Sequence, residues 1–455
     1  MEELGIYGKV LRRYEGGGVL TFEDGESIQC SFQSVQLTNA NIVARCFPRV
    51  DLEAFGRLIN RGLSGKHAAK SLQGTTVEGY ELVMQGNMLL IEQVVRFSVE
   101  ETIAEPITLY LLANEMDVRF GQEQPLGNEM HFGITNFCFI GLVPKRFPGH
   151  RVSRVLPLTV GNTRVVMEPV PDYRAVVKAI RAQRGIDITC EAVVRIDSEN
   201  DLNGVKAVLD DLCILMSLAR GTPINWIYYD IYSQPNHVIA THHRNAVTRS
   251  YGWSPLIDEK PEDTKYFLET TCGSFVEQKE TYALDWAIDA YLDAKSETAY
   301  LQTRALTAVV VMEMLKSRFV DQHGMRHIIN EQDFKNNLGR LREGIRQVVQ
   351  ECFPEINTSQ LRMMIDGVDW MNEKSFRASL KSMFDRIGLA YTMGELQTFV
   401  DSRNALVHRG DFHTENRREE YFRIINLLDR VLLKMLDYDY YYLDARNQWQ
   451  RVRLE

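Results

Sequence analysis

The sequence predicts an α+β fold of more than one domain, in which a β-rich N-terminal region with antiparallel, sandwich-like sheets precedes an all-α helical bundle. With 455 residues, the chain is longer than most single domains, so two or three domains are expected. Apolar and polar residues alternate through much of the N-terminal half, whereas from about Tyr282 the apolar residues recur with helical spacing. We therefore divide the chain into residues 1–277 and 278–455.

The first 150 or so residues are predicted to form mainly strands. Alternating apolar and polar residues flank the three glycines from Gly16 to Gly18, as they do in a β-hairpin. Further runs rich in β-branched and aromatic residues follow, namely "ELVMQGNMLLIEQVVRFSV", "PITLYLL" and "NEMHFGITNFCFIGL". Together these runs predict an antiparallel sandwich or a barrel-like sheet.

Between about Arg151 and Phe275 the pattern mixes strands with a helix, and we place a candidate internal boundary near residue 150. The segment "DLNGVKAVLDDLCILMSLARGT" has helical spacing, with Asp201 as its N-cap and Gly221 as its end. The runs around it predict strands, namely "TRVVMEPV", "ITCEAVVRI", "NWIYYDIY" and "HVIATHHRN".

The C-terminal region predicts helices joined by short polar loops, as in a helical bundle. The candidate helices are "YALDWAIDAYLDA", "SETAYLQTRALTAVVVMEMLKSRFVD", "EQDFKNNLGRLREGIRQVVQEC", "TSQLRMMIDGVDWM", "KSFRASLKSMFDRIG", "TMGELQTFVDSRNALVHR" and "NRREEYFRIINLLDRVLLKMLDY".

The composition, with 45% hydrophobic and 25% charged residues, is typical of a soluble globular protein. A formal net charge of −9 provides no global attraction to nucleic acid, so RNA binding would depend on a local basic patch. No apolar run is long enough to span a membrane, and the acidic N-terminus has no signal-peptide pattern, so we expect a cytoplasmic protein without membrane contact. The seven scattered cysteines predict reduced, mostly buried thiols.

The segment "FVDSRNALVHRGDF" near the C-terminus carries the polar residues of the candidate site. On a helical wheel, Arg403 falls in the middle of an apolar face, while Asn404 and His408 stack on its flank. That face consists of Leu396, Phe399, Val400 and Val407. An arginine there needs a salt bridge, a cleft or a subunit interface. Position alone leaves two alternatives open, an arginine paired with a neighbouring helix and an active site.

Within this segment, "RNALVH" resembles the R-x4-H signature of the HEPN superfamily, the higher eukaryotes and prokaryotes nucleotide-binding domains. As in ribonuclease members of that superfamily, a polar residue, Asn404, follows the arginine. The late position of the motif and the acidic Glu313 in a long early helix agree with the resemblance, which covers roughly the last 175 residues. The segment "RFVDQH", from Arg318 to His323, also satisfies the bare pattern, but it lacks the asparagine, and we interpret it as coincidental.

The resemblance implies a metal-independent endoribonuclease without a cofactor, in which Arg403, Asn404 and His408 are the catalytic residues. These residue types suit the reaction, because a histidine can act as acid or base near neutral pH and an arginine offers permanent charge to a phosphate. By the same resemblance, the RNA 2′-hydroxyl would attack the adjacent phosphate and leave a 2′,3′-cyclic phosphate. Two subunits would place their motifs side by side, so a homodimer or a higher homo-oligomer is expected.

Basic residues near the motif are candidates for RNA binding. Arg409 follows His408 directly, and Arg417 and Arg418 begin the next predicted helix. Their positive charge would add to that of the cleft, although Glu419 and Glu420 come immediately after them.

The combination of a β-rich front half with a HEPN bundle resembles the ApeA-type abortive-infection proteins of bacteria. This resemblance implies that the region 1–277 senses a phage-derived trigger or restrains the nuclease. The C-terminal region would then cleave host RNA, with tRNA as the expected class, in an antiphage response.

Two other functions remain open. The bundle could be a non-catalytic HEPN module that binds a nucleotide or a protein, although it retains the Arg-His pair. It could also be a structural assembly domain in which Arg403 pairs with an acid such as Glu313.

Other patterns give no further site. "GLSGKHAAKS" lacks the spacing of a phosphate-binding loop and predicts a surface turn. His237, His242 and His243 lack metal-ligand spacing and predict an exposed loop, so no metal site is expected.

Overall fold

The computed structural model describes residues 9–48, 69–92, 95–97, 102–104, 108–121, 128–147, 152–196, 202–234, 237–246, 252 and 254–455. The chain divides into two compact units, Met1–Gly273 and Ser274–Glu455. Strands dominate the described part of the first unit and helices dominate the second, so the predicted α+β class is confirmed. The candidate internal boundary near residue 150, the N-cap Asp201 and most of the segment "GLSGKHAAKS" lie outside the described residues.

The described strands pair in antiparallel fashion throughout, and nearly all of them belong to the first unit. They are β1 (Val10–Phe22), β2 (Ser27–Leu37), β3 (Ile42–Pro48), β4 (Ala69–Thr76), β5 (Glu81–Glu92), β6 (Val95–Phe97), β7 (Thr102–Ala104), β8 (Thr108–Arg119), β9 (Glu129–Thr135), β10 (Val143–Arg146), β11 (Val152–Val160), β12 (Thr163–Pro169), β13 (Ile188–Arg195), β14 (Trp226–Gln234), β15 (His237–Arg244), β16 (Tyr441–Asp444) and β17 (Gln450–Arg453).

The N-terminal strands close into a barrel-like sheet. β8 pairs with β3, and the order continues through β2, β1 and β4 to β5, which pairs back with β8. Alternate side chains of these strands share one buried core, which includes Leu20, Phe22, Phe32, Leu72, Leu109 and Leu111. The sequence left a sandwich and a barrel-like sheet open, and the strand pairing contains a closed, barrel-like portion.

The three glycines from Gly16 to Gly18 lie inside β1, so the predicted hairpin around them is wrong. A Cβ atom at Gly18 would lie 2.4 Å from the carbonyl oxygen of Gln73 on β4, so glycine permits the close approach of these two strands. The chain turns instead at Gly25, whose φ of 86° favours glycine. The Gly25 amide donates a hydrogen bond of 3.0 Å to the Phe22 carbonyl oxygen.

The sheet continues from β8 through β15, β14, β9, β13, β12 and β11 to β10. Two helices of the first unit, α1 (Tyr173–Gln183) and α2 (Leu202–Arg220), join strands of this part. As predicted, α2 ends at Gly221, whose φ is 63°. The buried Arg220 at this end donates to the carbonyl oxygen of Cys138 at 2.7 Å.

The histidines predicted to lie in an exposed loop are on β15. His243 is fully buried, with its Nδ1 atom 2.5 Å from Gln36 Oε1 and its Nε2 atom 3.3 Å from the Tyr14 hydroxyl. Burial lowers the pKa of His243 well below its ordinary value. The prediction was therefore wrong for His243. Alternate side chains of a strand point inward, and a polar one can be buried there when it has hydrogen-bond partners.

Helices dominate the chain from Pro261 onward, and all but the first of them, which crosses the boundary at Gly273, belong to the second unit. They are α3 (Pro261–Tyr282), α4 (Leu284–Lys295), α5 (Leu301–Gln322), α6 (Glu331–Cys352), α7 (Thr358–Asp366), α8 (Phe376–Arg386), α9 (Met393–Arg409) and α10 (Arg417–Met435). Short 3-10 helices occupy Gly367–Trp370 and Ala445–Asn447, and β16 and β17 form a C-terminal hairpin. Each of the predicted C-terminal helical segments overlaps one of the helices from α4 to α10 over most of its length, whereas α3 was not predicted. In the part of the chain that the structure describes, we find no helix with the length and apolarity to cross a membrane.

Candidate functional site

The motif lies on α9, which has a capping signal at each end. The Thr392 hydroxyl accepts a hydrogen bond of 3.1 Å from the Glu395 amide at the N-terminus. Gly410, with a φ of 70°, ends the helix, and its amide donates to the Leu406 carbonyl oxygen at 3.1 Å. The buried residues of the helix are Leu396, Phe399, Ser402, Ala405 and Leu406.

Arg403 lies at the edge of this buried face, and its predicted position in the middle of an apolar face is wrong. Val407, which the helical wheel placed on that face, is 43% exposed. The centre of the buried face lies roughly 70° around the helix from Arg403. The prediction counted apolar residues only, whereas the polar Ser402 is also buried, with its side chain hydrogen-bonded to the carboxylate of Glu420.

Three contacts fix the guanidinium group of Arg403. Its Nε atom donates to Glu313 Oε1 on α5 at 2.5 Å, and its Nη1 atom donates to Asn404 Oδ1 at 3.0 Å. Its Cζ atom lies 5.0 Å from the centroid of the Phe376 ring. The Arg403 side chain is nevertheless 21% exposed, so part of a permanent positive charge faces solvent.

A second cation lies beside this group. The Nζ atom of Lys316 is 5.0 Å from the centroid of the same Phe376 ring. Burial lowers the pKa of Lys316, and Arg403 adds to this effect, while the nearby Glu313 opposes it. The carboxylate of Glu313 therefore lies near two cations, Arg403 and Lys316. Sequence analysis missed Lys316, although it lies one helical turn after Glu313 on the same face of α5.

Asn404 and His408 are both exposed on α9. Among the described residues, we find no hydrogen bond or ion pair for the imidazole of His408. Arg403 and His408 leave the helix in directions roughly 140° apart and are separated by about 7.5 Å along its axis. Because of this divergence, α9 of one chain does not direct the two side chains at a single phosphate.

The three candidate RNA-binding arginines lie at the end of α9 and at the start of α10. Arg409 is exposed at the last helical position. Arg417 Nη2 donates to Asp411 Oδ2 at 2.9 Å, and the Cζ atom of Arg418 lies 5.6 Å from the Phe422 ring centroid. Arg409 and Arg417 therefore lie near the end of the motif helix, with Arg417 partly neutralised by its carboxylate partner, whereas the contact of Arg418 is within α10.

Glu420, which the sequence suggested would weaken the basic patch, is withdrawn from the surface. Its buried carboxylate accepts hydrogen bonds from the amides of His413 and Thr414 at 2.9 and 2.7 Å, and also from the Thr414 hydroxyl. Burial acts to raise the pKa of Glu420, but these hydrogen bonds, with that of Ser402, outweigh it and lower the pKa. Glu420 therefore anchors the turn after α9 to α10.

The residues of the second match to the R-x4-H pattern, Arg318 and His323, both contact α3. His323 Nε2 lies 3.3 Å from the Tyr282 hydroxyl, and the His323 ring contacts Phe319. Arg318 Nη1 donates to the carbonyl oxygen of Thr281 at 3.4 Å. Across the described ranges, no group of histidine, cysteine and carboxylate side chains is arranged to hold a metal ion.

Comparison with known proteins gives no relative from which a function could be transferred. No protein-family model matches the chain, and neither a curated protein nor a solved structure is significantly similar to it.

Proposed function

We propose that the chain is a metal-independent endoribonuclease whose second unit is a HEPN-type bundle with its active site on α9. The observation that carries the proposal is the partly exposed guanidinium of Arg403, which Glu313 and Phe376 hold in place. Arg403 lies on α9, the helix that also exposes Asn404 and His408. Metal-free RNA cleavage needs charge stabilisation and proton transfer, and α9 carries a fixed cation for the first and an exposed imidazole for the second.

In the proposed mechanism, Arg403 stabilises the negative charge that develops on the phosphate during attack by the 2′-hydroxyl. His408 transfers a proton, either from that hydroxyl or to the leaving 5′-oxygen, and Asn404 orients Arg403 or the phosphate. The divergence of Arg403 and His408 on α9 supports a composite site, in which a second copy of the chain supplies the complementary residues. The proposed active form is accordingly a homodimer or a higher homo-oligomer.

The proposed cellular role is an antiphage abortive-infection response in the cytoplasm, in which host RNA, with tRNA as the expected class, is cleaved. The β-rich first unit would sense a phage-derived trigger or restrain the nuclease. Arg409, Arg417 and Arg418 would bind the RNA backbone next to the motif, since permanent charges at a helix end attract phosphates without regard to sequence.

The proposal is tested by incubating the full-length protein with total tRNA in EDTA, beside its His408→Ala and Arg403→Ala variants. We expect discrete fragments with 2′,3′-cyclic phosphate ends from the wild type and none from either variant. His327→Ala, which changes a histidine outside α9, should cleave as the wild type does. Unchanged cleavage by both α9 variants would overturn the assignment.

A second candidate function, binding of a nucleotide without catalysis, is favoured by a cavity of about 490 Å³ between α9 and α10. Among the described residues, its lining contains Arg423, Arg430 and Arg446 and one carboxylate, that of Glu395, which pairs with Arg430. Arg423 pairs with Glu419. The buried Nε atom of Arg430 has no hydrogen-bond partner, and the side-chain contacts of Arg446 with carboxylates are 3.4 Å or longer. In the same experiment, absence of cleavage together with nucleotide binding that Arg446→Ala removes would favour this function.

A further inference from the structure

Two helices of the second unit, α6 and α7, form an arm that begins and ends at the same place. We name residues 330–371 the helical arm, and its last part is the 3-10 helix Gly367–Trp370. At its base, the Ile328 amide donates to the Asn372 carbonyl oxygen at 2.8 Å. The buried Asn372 side chain also bonds the backbone amide and carbonyl groups of Ile329, at 2.8 and 2.9 Å. These contacts hold the two ends of the arm together.

The helical arm has a very small core of its own. Its buried side chains are those of Val349, Ile365 and Val368. Arg342 on α6 donates to both carboxylate oxygens of Asp369, at 2.7 and 2.6 Å, and so joins α6 to the 3-10 helix. The two helices pack chiefly on each other and on that 3-10 helix, so much of their apolar surface stays open to solvent.

The apolar residues of α6 recur with heptad spacing. From Phe334 to Cys352 the intervals alternate between four and three residues, as between the a and d positions of helices that pair with one another. These residues are Phe334, Leu338, Leu341, Ile345, Val348 and Cys352. Leu341, Val348 and Cys352 are exposed, and the other three are only partly buried. The spacing therefore predicts a partner helix that the described part of the chain does not supply.

This row of residues continues into an apolar groove at the C-terminal end of α6. The groove has a volume of about 770 Å³, and its lining includes Cys352, Phe353, Met363 and Met364. Phe353 and both methionines are exposed. Cys352 belongs to the row and to the groove, so the two form one continuous surface. We name this surface, the heptad residues of α6 together with Phe353, Met363 and Met364, the arm seam.

The area of the arm seam fits that of a stable interface. Five of its large side chains are more than 40% exposed, namely Leu341, Val348, Phe353, Met363 and Met364. At roughly 150 Å² for each large side chain, their exposed fractions come to about 400 Å² of apolar surface. Since roughly 57% of an interface is apolar, a partner that covers the arm seam would bury about 700 Å² of the arm. A stable protein–protein interface buries about 800 Å² on each partner.

The charges of the helical arm favour a partner that resembles the arm itself. Ion pairs within the arm include Lys335 with Glu331, Arg342 with Asp369 and Arg346 with Glu343. Carboxylates outnumber basic residues across residues 330–371, so the arm does not attract an anionic membrane or a nucleic acid. An apolar seam whose neighbouring charges are already paired can meet an identical seam without like-charge repulsion.

We propose that the arm seam binds a second copy of this chain, so that two helical arms pack into a four-helix interface. A row of a and d residues is complementary to itself, and in a closed dimer each copy contributes the same surface. The inference names a contact surface for the homo-oligomer that the proposed function requires. It does not rest on RNA cleavage, because association is measured separately.

The test is sedimentation equilibrium of the full-length wild type over a range of concentrations, beside its Val348→Glu and Leu341→Glu variants. Each variant buries a carboxylate in the apolar interface, so we expect the dissociation constant of the homo-oligomer to rise about tenfold or more. Both side chains are exposed in the single chain, so neither variant should unfold it. The matched control is Gln350→Glu, which adds the same charge on the opposite side of α6 and should associate as the wild type does.

A wild type with the mass of one chain at every concentration would overturn the second copy as the occupant of the arm seam. The proposal is also overturned if both seam variants associate as tightly as Gln350→Glu, because the copies would then meet through another surface. A protein that cleaves no RNA, and whose association the two seam variants weaken, would support the arm contact while contradicting the nuclease. The two proposals therefore fail separately.

Discussion

The pairing of Arg403 with Glu313 is the contact that a purely structural function of the bundle also predicts. An arginine sealed in a core with its carboxylate would be required for stability, because its loss leaves an uncompensated buried charge. The two side chains are 21% and 35% exposed, so water screens their interaction. At the scale of single residues, the cost of breaking this pair therefore separates the structural function from the catalytic one.

We expect Arg403→Ala to lower the free energy of unfolding by no more than about 1 kcal/mol, as for other solvent-exposed pairs. A sealed pair would instead cost about 3–5 kcal/mol when broken. Urea unfolding of the wild type, Arg403→Ala and Glu313→Ala measures the difference. Glu313→Ala is the matched control, because it breaks the same pair while leaving Arg403 in place. A loss in the larger range for Arg403→Ala would favour the structural function.

Which residues of the site could be read from the sequence depends on what fixes each side chain. Arg403, Asn404 and His408 stand out because they interrupt an apolar helix within about one and a half turns. The structure places Asn404 and His408 at the surface. Lys316 and Glu420 could not be found in the same way. Lys316 joins the site through the packing of α5 beside α9, and the burial of Glu420 depends on the turn after α9.

At the scale of secondary-structure elements, a buried network of three polar side chains connects α4 to α10. Lys295 Nζ donates to the Tyr291 hydroxyl at 2.7 Å, and that hydroxyl donates to Asp429 Oδ1 at 2.5 Å. The Lys295 and Asp429 side chains are almost completely buried, with their charged atoms 3.7 Å apart. Burial lowers the pKa of Lys295 and raises that of Asp429, since both charged forms lose hydration.

We expect Asp429→Ala to destabilise the protein by about 3–5 kcal/mol, because Lys295 would remain buried without its counter-charge. The double variant Lys295→Met, Asp429→Leu should lose much less, since apolar residues of similar volume replace the pair. Guanidinium unfolding of the wild type and both variants measures these changes. Lys381→Ala, which removes a surface cation of α8, is the control and should unfold nearly as the wild type does. Equal losses in the single and double variants would contradict the expectation.

The helices of the second unit were predictable because each shows its apolar spacing and its caps locally. α6 begins and ends where its sequence pattern does, and Asn330 caps it by accepting from the Gln332 amide at 2.9 Å. α3 was missed because its apolar residues do not collect on one side in a clear stripe. The hairpin predicted around Gly16 to Gly18 was wrong for another reason, because glycine is as typical of a close approach between strands as it is of a turn.

At the scale of the whole molecule, the closure of the N-terminal sheet could not be predicted from the sequence. The neighbouring strands β1 and β2 pair locally, through the turn at Gly25. The pairing of β5 with β8 and of β3 with β8 joins strands that are distant along the chain. Alternation identifies which side chains point inward, but it does not identify the partner strand, which depends on packing of the whole core.

A charged cluster crosses the extended part of this sheet and should govern the pH dependence of its stability. On β9, His131 Nε2 lies 2.9 Å from Glu129 Oε1, and His131 Nδ1 lies 3.5 Å from Glu191 Oε2 on β13. Burial acts to lower the pKa of His131, but the contacts with Glu191 and Glu129 outweigh it and raise the pKa. Burial likewise acts to raise the pKa of Glu191, while His131 and Tyr228 outweigh it and lower the pKa.

The directions of these two pKa shifts define the pH range in which the cluster stabilises the protein most. A raised histidine pKa gives stability that is fully present below the ordinary value of 6.5 and is lost as pH rises through the folded-state pKa. A lowered carboxylate pKa gives stability that is present above the ordinary value of 4.5 and is lost as pH falls through the folded-state pKa. The cluster should therefore contribute most between these two values, and its contribution should fall on the alkaline side because His131 loses its proton.

His131→Gln should remove the alkaline part of this dependence, because glutamine keeps a polar group between Glu129 and Glu191 but carries no titrating charge. The measurement is urea unfolding of the full-length protein from about pH 4.5 to about pH 8.5, a range that spans the ordinary pKa values of glutamate and histidine. The difference in unfolding free energy between wild type and variant should be largest below pH 6.5 and should shrink as pH rises. His413→Gln changes an exposed histidine after α9 and should follow the wild type at every pH. A difference that stays constant with pH would show that His131 stabilises the sheet through packing and not through its charge.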